Sequence, residues 1–114
     1  MAIAEVDVDE LEQQLADGAR LVDVRQPYEF DEMRVSGATL VPLATVPDNV
    51  DAFRGEGPVY VICKTGSRSA RACEFLATHG VEAINVAGGT LAWESAGLPV
   101  RRGAPDAGEG DLPD

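Results

Sequence analysis

The feature that most constrains the fold is a continuous apolar run at residues 58–62 that ends at Cys63. An unbroken run of β-branched and aromatic residues is typical of a strand that is buried on both faces. Small and cationic residues follow, and residues 69–79 then show a helical pattern that stops at Gly80. A buried strand, a short loop and a helix are the repeating parts of a parallel sheet, so this stretch predicts an α/β fold.

Short strands and helices alternate along the rest of the chain. Asp7 is suited to cap a helix over residues 8–17 that Gly18 ends, and Pro27 opens a short helical turn. The other predicted elements are strands at 21–25, 39–42 and 83–86, an irregular connection at 43–57 with one helical turn near 49–53, and a last helix at 90–96. The pattern predicts a mostly parallel central sheet with helices on both faces. Ligands of such sheets bind beyond the carboxyl ends of the strands, where Cys63 lies.

The length of 114 residues fits one compact domain. We expect a domain over residues 1–103 and an acidic tail over residues 104–114, whose few apolar side chains predict disorder. Only two cysteines are present, so a structural disulfide is not expected and both thiols are predicted to be free. The sequence suggests no metal site and no cofactor.

The charge of the chain excludes several classes of partner. Nine basic and twenty acidic residues give a net charge of -11, which repels nucleic acids and anionic membrane surfaces. No apolar run approaches the roughly 20 residues that a bilayer-spanning helix needs. The N-terminus lacks the basic and apolar regions of a secretory signal, so a cytoplasmic location is expected.

The residues after Cys63 have the composition of a tight, concave loop. Gly66 can adopt backbone angles that other residues avoid, and Thr65 and Ser67 are small enough to let successive N–H groups point inward and attract an anion. Arg68, five residues after the cysteine, can fold back over the loop and offer a planar set of donors. A thiolate at a helix N-terminus beside cationic side chains has a lowered pKa.

These features predict that Cys63 is a reactive nucleophile. The residues expected to surround its charge or a bound anion are Lys64, Thr65, Gly66, Ser67, Arg68 and Ser69. The alternative is that Cys63 is a small apolar residue that fills the end of a strand. Cys73 is predicted to lie in the core, with a resolving or sensor thiol as the alternative. His79, at a helix end, is predicted to be structural, so no Cys–His pair is expected.

With these residues in view, the chain resembles the single-domain rhodaneses, a family of sulfurtransferases. The resemblance covers about residues 5–103 and rests on four motifs: LVDVRQPYEF at 21–30, GA at 37–38, VICKTGSRS at 61–69 and GGTLAW at 88–93. It implies a five-stranded parallel sheet and a cysteine that carries a transferable sulfur as a persulfide. Asp23 and Arg25 match the family's D-x-R and are expected to form a supporting salt bridge, while Trp93 is expected to serve packing.

The resemblance also implies a reaction. Cys63 would take the outer sulfur of a small anionic donor such as thiosulfate, release sulfite, and pass the sulfur to cyanide, a thiol or a protein acceptor. The loop amides and Arg68 would stabilise the thiolate and the persulfide, since both are anions. Arg34 stands where the family often has histidine, and we expect it to change the rim of the site.

Two other functions are open at this point. Related scaffolds act as phosphatases and arsenate reductases, but those relatives use a loop that is one residue longer to hold a wider phosphoryl group. The second alternative is a non-catalytic domain that binds a partner or senses redox state through the thiol. The intact cysteine loop favours the sulfurtransferase.

Overall fold

The computed structural model describes residues 3–112 of the 114-residue chain. Within that range lie five strands, β1 (Ala4–Val6), β2 (Arg20–Asp23), β3 (Thr39–Leu40), β4 (Val59–Ile62) and β5 (Ala83–Val86). They form one parallel sheet in the order β1-β5-β4-β2-β3. The predicted parallel α/β fold is therefore confirmed. Residues 1, 2, 113 and 114, which the sequence analysis assigned to the domain and the tail, lie outside the described residues.

Four α-helices within the described range connect the strands: α1 (Val8–Ala16), α2 (Pro27–Glu32), α3 (Ser67–Ala77) and α4 (Gly89–Ser95). A 3-10 segment, Leu43–Phe53, is interrupted at Asn49 and is longer than the single turn that the sequence suggested. Helix α1 begins as predicted, because the Asp7 carboxylate accepts the N–H of Glu10 at 2.9 Å. Between residues 3 and 112 no helix combines the length and the hydropathy that a bilayer span requires.

Two apolar clusters cover opposite faces of the sheet. Leu76 of α3 and Phe53 of the 3-10 segment belong to one cluster. Leu11 of α1, Phe30 of α2 and Trp93 of α4 belong to the other. The prediction of helices on both faces is therefore confirmed, and Trp93 has the packing position expected of it.

The central strand β4 contributes to both clusters. Every residue of this strand is buried, and successive side chains point to opposite faces. Val59 and Val61 accordingly pack in the first cluster, and Tyr60 and Ile62 in the second. Because β4 lies between β2 and β5, Cys63 leaves the sheet at the carboxyl ends of three parallel strands.

Strand β1 was not predicted from the sequence. This strand has only three residues, two of them exposed, and it pairs with β5 at one edge of the sheet. So short and exposed a segment has no readable periodicity, and its pairing is decided by the tertiary context. At the opposite edge, β3 ends before Pro42, as expected for a proline that marks a strand end or an edge position.

The C-terminal segment packs on the domain, although its composition suggested disorder. Arg101 and Arg34 form an antiparallel bridge with two backbone hydrogen bonds of 2.9 Å. Further along, the Glu109 carboxylate binds the Arg34 guanidinium at 2.7 and 3.0 Å. Residues 104–112 differ from the expectation because they are held by a backbone hydrogen bond from Leu40 to the Gly110 carbonyl at 2.8 Å and by the largely buried ion pair of Arg34 and Glu109. The domain boundary at residue 103 stays a prediction.

Candidate active site

Cys63 directly follows β4 and is fully buried. Its Sγ accepts a hydrogen bond from the backbone N–H of Gly66 at 3.1 Å and another from the Ser69 hydroxyl at 3.3 Å. Gly66 is the N-cap of α3 and Ser69 lies in its first turn. The sulfur therefore lies at the N-terminal end of an eleven-residue helix, where the N–H groups favour negative charge.

The pKa of Cys63 lies below the ordinary value of a thiol. Burial is the largest single influence and raises the pKa, because it disfavours the charged form. The Ser69 hydroxyl and the backbone N–H groups of Ser69, Gly66 and Thr65 lower the pKa, and together they outweigh burial. The lowered pKa of this thiol is therefore caused by its hydrogen-bond donors.

The loop after Cys63 is shorter than predicted. Helix α3 begins at Ser67, so only Lys64, Thr65 and Gly66 separate the cysteine from the helix. Gly66 makes this tight turn possible with a φ of 105°, in the left-handed region that glycine adopts readily. The side chains of Lys64, Thr65 and Ser67 are exposed, so it is the backbone of this turn that faces the sulfur.

The N-terminus of α4 holds the loop from its other side. The N–H of Thr90 donates to the Cys63 carbonyl at 2.8 Å, and the N–H of Leu91 donates to the Lys64 carbonyl at 3.0 Å. Gly89 has a φ of 59°, and a Cβ at this position would lie only 2.3 Å from the Cys63 carbonyl oxygen. Glycine is therefore required for the close approach of α4 to the loop.

Arg68 was expected to arch over Cys63, but it pairs with Glu29 of α2. Its two terminal nitrogens donate to the two carboxylate oxygens at 2.7 and 2.9 Å, a geometry that suits the planar guanidinium. The hydrogen bond from Arg68 is the largest cause that lowers the pKa of Glu29 to about 2. Arg68 still interacts electrostatically with Cys63, whose negative charge helps to raise the pKa of the guanidinium.

The predicted ion pair between Asp23 and Arg25 is present and buried. Arg25 donates to the Asp23 carboxylate at 2.8 to 3.1 Å. It also donates to the carbonyls of Glu29 at 3.3 Å and Met33 at 2.7 Å. The pair therefore connects the end of β2 to the helix that carries Glu29, while its role as a support for the site stays a prediction.

Arg34 does not lie on the rim of the site. Its residue is 1% exposed, and besides Glu109 it donates to the carbonyls of Phe30 at 3.1 Å and Gly103 at 2.7 Å. The expectation that this residue alters the rim was wrong, because its donors are directed at α2 and the C-terminal segment. Arg34 instead fastens that segment to the domain.

Cys73 lies in the core, as predicted. It is 1% exposed and belongs to the same apolar cluster as Cys63. Burial, followed by the neighbouring charges of Cys63, Glu5 and Glu74, raises its pKa to about 12. His79 is exposed at the end of α3, where its ring packs 4.5 Å from that of Phe75.

A cleft of about 350 Å³ opens between α2 and α4 beside the loop. Its lining residues carry mixed charge and are Arg25, Tyr28, Glu29, Glu32, Met33, Lys64, Thr90, Leu91, Glu94 and Arg102. Lys64 and Thr90 connect this cleft to the cysteine loop. Among residues 3–112, no three His, Cys, Asp or Glu side chains gather where they could hold a metal ion.

Three residues that contribute to the site were not singled out from the sequence. Glu29 stands in the motif at 21–30, and its spacing gave no sign that it pairs with Arg68. Gly89 is the second of two consecutive glycines, a signal that can mark a close backbone approach as well as a turn. Asn85 is a polar residue between apolar neighbours in β5, and a buried polar group of this kind requires a partner.

Sequence and structure comparisons with known proteins agree on one family. A sequence model of the Rhodanese-like domain matches residues 7–96. A sulfurtransferase of Allochromatium vinosum is 33% identical over 101 residues, which cover 86% of this chain and 94% of that protein. The crystal structure of a rhodanese-like domain protein from Staphylococcus aureus is 35% identical, with a TM-score of 0.75 over 80% of this chain and 91% of that one. A rhodanese-related protein from Thermoplasma volcanium is 26% identical, with a TM-score of 0.81 over 86% of this chain and 97% of that one.

Proposed function

The chain belongs to the rhodanese-like domain family, and we propose that it is a sulfurtransferase that carries a sulfane sulfur as a persulfide on Cys63. The observation that carries the proposal is the buried Sγ, which receives hydrogen bonds from Gly66 and Ser69 and has a lowered pKa. Attack on a sulfur donor requires a thiolate, and these donors favour that form. The family and the printed name of the Allochromatium relative support the class of reaction.

The reaction has two half-reactions of the same kind. In the first, the Cys63 thiolate attacks the outer sulfur of a small anionic donor such as thiosulfate. The new S–S bond forms as the bond within the donor breaks, and sulfite leaves with the electron pair. In the second, a nucleophilic acceptor such as cyanide, a thiol or a protein thiol attacks the outer sulfur, and Cys63 leaves as the thiolate. No external oxidant or reductant is needed.

The donor anion would be held by the cationic groups around the loop. Lys64 lines the cleft of about 350 Å³ beside the cysteine, which is roomy for an anion the size of thiosulfate, whereas the buried Arg25 on the same cleft is already paired with Asp23. Arg68 has a side chain that is 32% exposed. Because Glu29 already occupies the guanidinium, the donor would share or displace that carboxylate in order to use Arg68.

The full burial of Cys63 favours a competing hypothesis. A thiol without access to solvent would suit a non-catalytic domain that binds a partner, whereas a redox sensor, like the enzyme, needs a thiol that its reactant can reach. Under the sulfurtransferase proposal, groups around the loop must move to let the donor reach Sγ, and the partly exposed pair of Arg68 and Glu29 is one candidate. The two hypotheses differ in whether sulfur is taken up.

Intact mass spectrometry after exposure to thiosulfate tests the proposal. The protein should gain the mass of one sulfur atom, and the Cys63→Ser variant should gain nothing. Cys73→Ala is the matched control, because it removes the other thiol and should leave the adduct unchanged. Addition of cyanide should then remove the added sulfur and release thiocyanate. Absence of an adduct with thiosulfate and with other sulfane donors would support the binding module instead.

A further inference from the structure

Asn85 reaches the candidate site from β5, although the proposed reaction does not use it. Its residue is 1% exposed. The amide nitrogen donates to the Gly66 carbonyl at 3.2 Å and to the Glu5 carboxylate at 2.8 Å. The amide oxygen lies 2.5 Å from Oγ of Ser69. The side chain therefore joins the cysteine loop, the edge strand β1 and the first turn of α3.

The contacts of Asn85 determine which way its amide faces. If the amide were flipped, its oxygen would point at the Gly66 carbonyl and the Glu5 carboxylate, which are both acceptors. The flipped arrangement would lose two hydrogen bonds and place like partial charges together. Oδ1 must therefore face Ser69, and it can only accept.

The Ser69 hydroxyl has a single hydrogen and two acceptors within reach. One is Oδ1 of Asn85 at 2.5 Å, and the other is Sγ of Cys63 at 3.3 Å. A neutral sulfur is a weak acceptor, so the amide oxygen should hold the hydrogen while Cys63 is a thiol. A thiolate accepts a charge-assisted hydrogen bond, which is stronger, so the preference should reverse when the sulfur is charged.

We propose that Asn85 is a positioning residue, whose oxygen holds the Ser69 hydroxyl hydrogen while Sγ is uncharged and yields it when Sγ carries the negative charge. Its place in the reaction rests on the proposed function. In the persulfide the charge lies on the outer sulfur, so the hydrogen returns to Asn85. When the acceptor takes the outer sulfur, Sγ leaves as a thiolate and the hydroxyl turns back to it. Ser69 keeps its own proton throughout.

This role would make Ser69 a donor that distinguishes the free Cys63 thiolate from the Cys63 persulfide. The hydroxyl would stabilise the free thiolate and not the persulfide, so it would assist the departure of Sγ in the second half-reaction. The backbone N–H of Gly66, by contrast, has its direction fixed by the backbone and cannot rotate as a hydroxyl does. Asn85 would set the balance between the two forms through the competition for one hydrogen.

Other charges also act on Cys63, and the test must hold them constant. The groups around it are Arg68 and Cys73 of α3, Glu5 of β1 beyond Asn85, Lys64 of the loop, the pair of Asp23 and Arg25 at the end of β2, and Glu29 of α2. Substitution of neutral Asn85 or Ser69 changes none of these charges. Replacing Asn85 also removes the amide donor from the Glu5 carboxylate and the Gly66 carbonyl, with or without Ser69 present. The competition for the hydrogen is therefore reported by the difference between Asn85→Leu and the double variant that also carries Ser69→Ala.

The test is the pH dependence of iodoacetamide alkylation at Cys63, mapped by peptide mass spectrometry. Ser69→Ala should raise the pKa of Cys63 by about one unit, which is a tenfold loss of thiolate at a pH below the pKa. Asn85→Leu should lower it by a few tenths of a unit or more, because Ser69 then has only the sulfur as an acceptor. The double variant should titrate like Ser69→Ala alone, since Asn85 would act through that hydroxyl. An unchanged or raised pKa in Asn85→Leu, or additive effects in the double variant, would overturn the proposal.

Controls keep the test decisive if one variant folds poorly. Circular dichroism identifies a misfolded variant, and Asn85→Ala, which removes the acceptor without adding bulk, then replaces Asn85→Leu with the same expected direction. Asn49→Ala removes an amide that, among residues 3–112, bonds only the Thr45 carbonyl, and it should leave the titration unchanged.

A second readout separates this inference from the proposed function. The quantity measured is the rate of sulfur release to a thiol acceptor divided by the rate of sulfur loading. This ratio should be several-fold higher in Asn85→Leu, because the leaving thiolate of Cys63 is better stabilised. If the titrations behave as expected and no persulfide ever forms, the positioning role stands and the proposed function fails. If the persulfide forms and the titrations do not shift as expected, the proposed function stands and the positioning role fails.

Discussion

Cys63 and Cys73 are a natural comparison within this molecule. Both are buried, at 0% and 1% exposure, and both belong to one apolar cluster. The pKa of Cys63 is lowered, whereas that of Cys73 is raised to about 12. Burial raises the pKa in both cases, so burial does not explain the difference.

The difference lies in the hydrogen-bond donors that each sulfur meets. Cys63 stands before the first turn of α3, where unpaired N–H groups and the Ser69 hydroxyl point at it. Cys73 stands in the middle of the same helix, where the N–H groups are used by the helix itself. Position relative to a helix end therefore decides which cysteine has the lowered pKa.

The largest expected effect is a difference in alkylation between the two thiols. Both buried thiols must first be exposed by local opening. At neutral pH, Cys63 should then react with iodoacetamide at least about a hundredfold faster than Cys73, because a far larger fraction of it is thiolate. Peptide mapping after a time course measures both rates in one sample. In guanidinium chloride the two rates should converge. Similar alkylation rates of the two thiols in the folded protein would contradict the claim that the donors at the helix end activate Cys63 alone.

Gly66→Ala is expected to have a smaller effect on Cys63 and also to lower the stability of the fold. The substitution places a side chain at a φ of 105° and a Cβ 3.3 Å from the Gly88 nitrogen, so the unfolding free energy should fall by about 1–3 kcal/mol. The N–H of residue 66 should also move away from Sγ, and the pKa of Cys63 should rise towards its ordinary value. Urea unfolding and the alkylation profile measure the two effects.

Gly18→Ala provides the matched control for that variant. Gly18 has a φ of 92°, but a Cβ added at this position would meet no atom within 4 Å. The variant should lose stability through backbone strain and keep the reactivity of Cys63. Equal effects of the two variants on the thiol would mean that the Gly66 turn has no special role.

The smallest effect on the thiol is expected from Glu29→Gln. The amide keeps the shape of the carboxylate but loses its charge, so Arg68 should act more strongly on the nearby thiolate. We expect the pKa of Cys63 to fall by less than about one unit and that of Cys73 to stay unchanged. Alkylation profiles of both thiols check this. A rise in the pKa of Cys63 would show that Glu29 is needed to hold Arg68 in place.

The same variant should change the acid stability. Glu29 has a pKa of about 2 in the folded protein against 4.5 as its ordinary value. A lowered pKa stabilises the fold above about pH 4.5, and this contribution is lost as the pH falls towards 2. Urea unfolding at a series of pH values should therefore show a shallower acid dependence for Glu29→Gln than for Glu12→Gln, which changes an exposed carboxylate of α1.

Much of the architecture was predictable because it depends on local patterns. The apolar run before Cys63 indicated the central strand, and Asp7 indicated the start of α1; both are present. Elements without such a signal were missed or misjudged. Strand β1 depends on its pairing with β5, and residues 104–112 are held in large part by one buried arginine that lies just beyond α2. Contacts between residues far apart in sequence leave no periodic trace.

Local sequence patterns were sufficient to establish the order of the helices and of four of the five described strands, the place of Cys63 after a buried strand, and the family to which the chain belongs. These follow from apolar periodicity, helix and turn residues, and motifs of adjacent residues. The pairing of Arg68 with Glu29, the burial of Arg34 and the contact of Asn85 with Ser69 emerge only in the folded molecule. Each of these depends on which side chains the folded sheet brings within about 3 Å, a distance that hydrogen bonds require and sequence spacing does not encode.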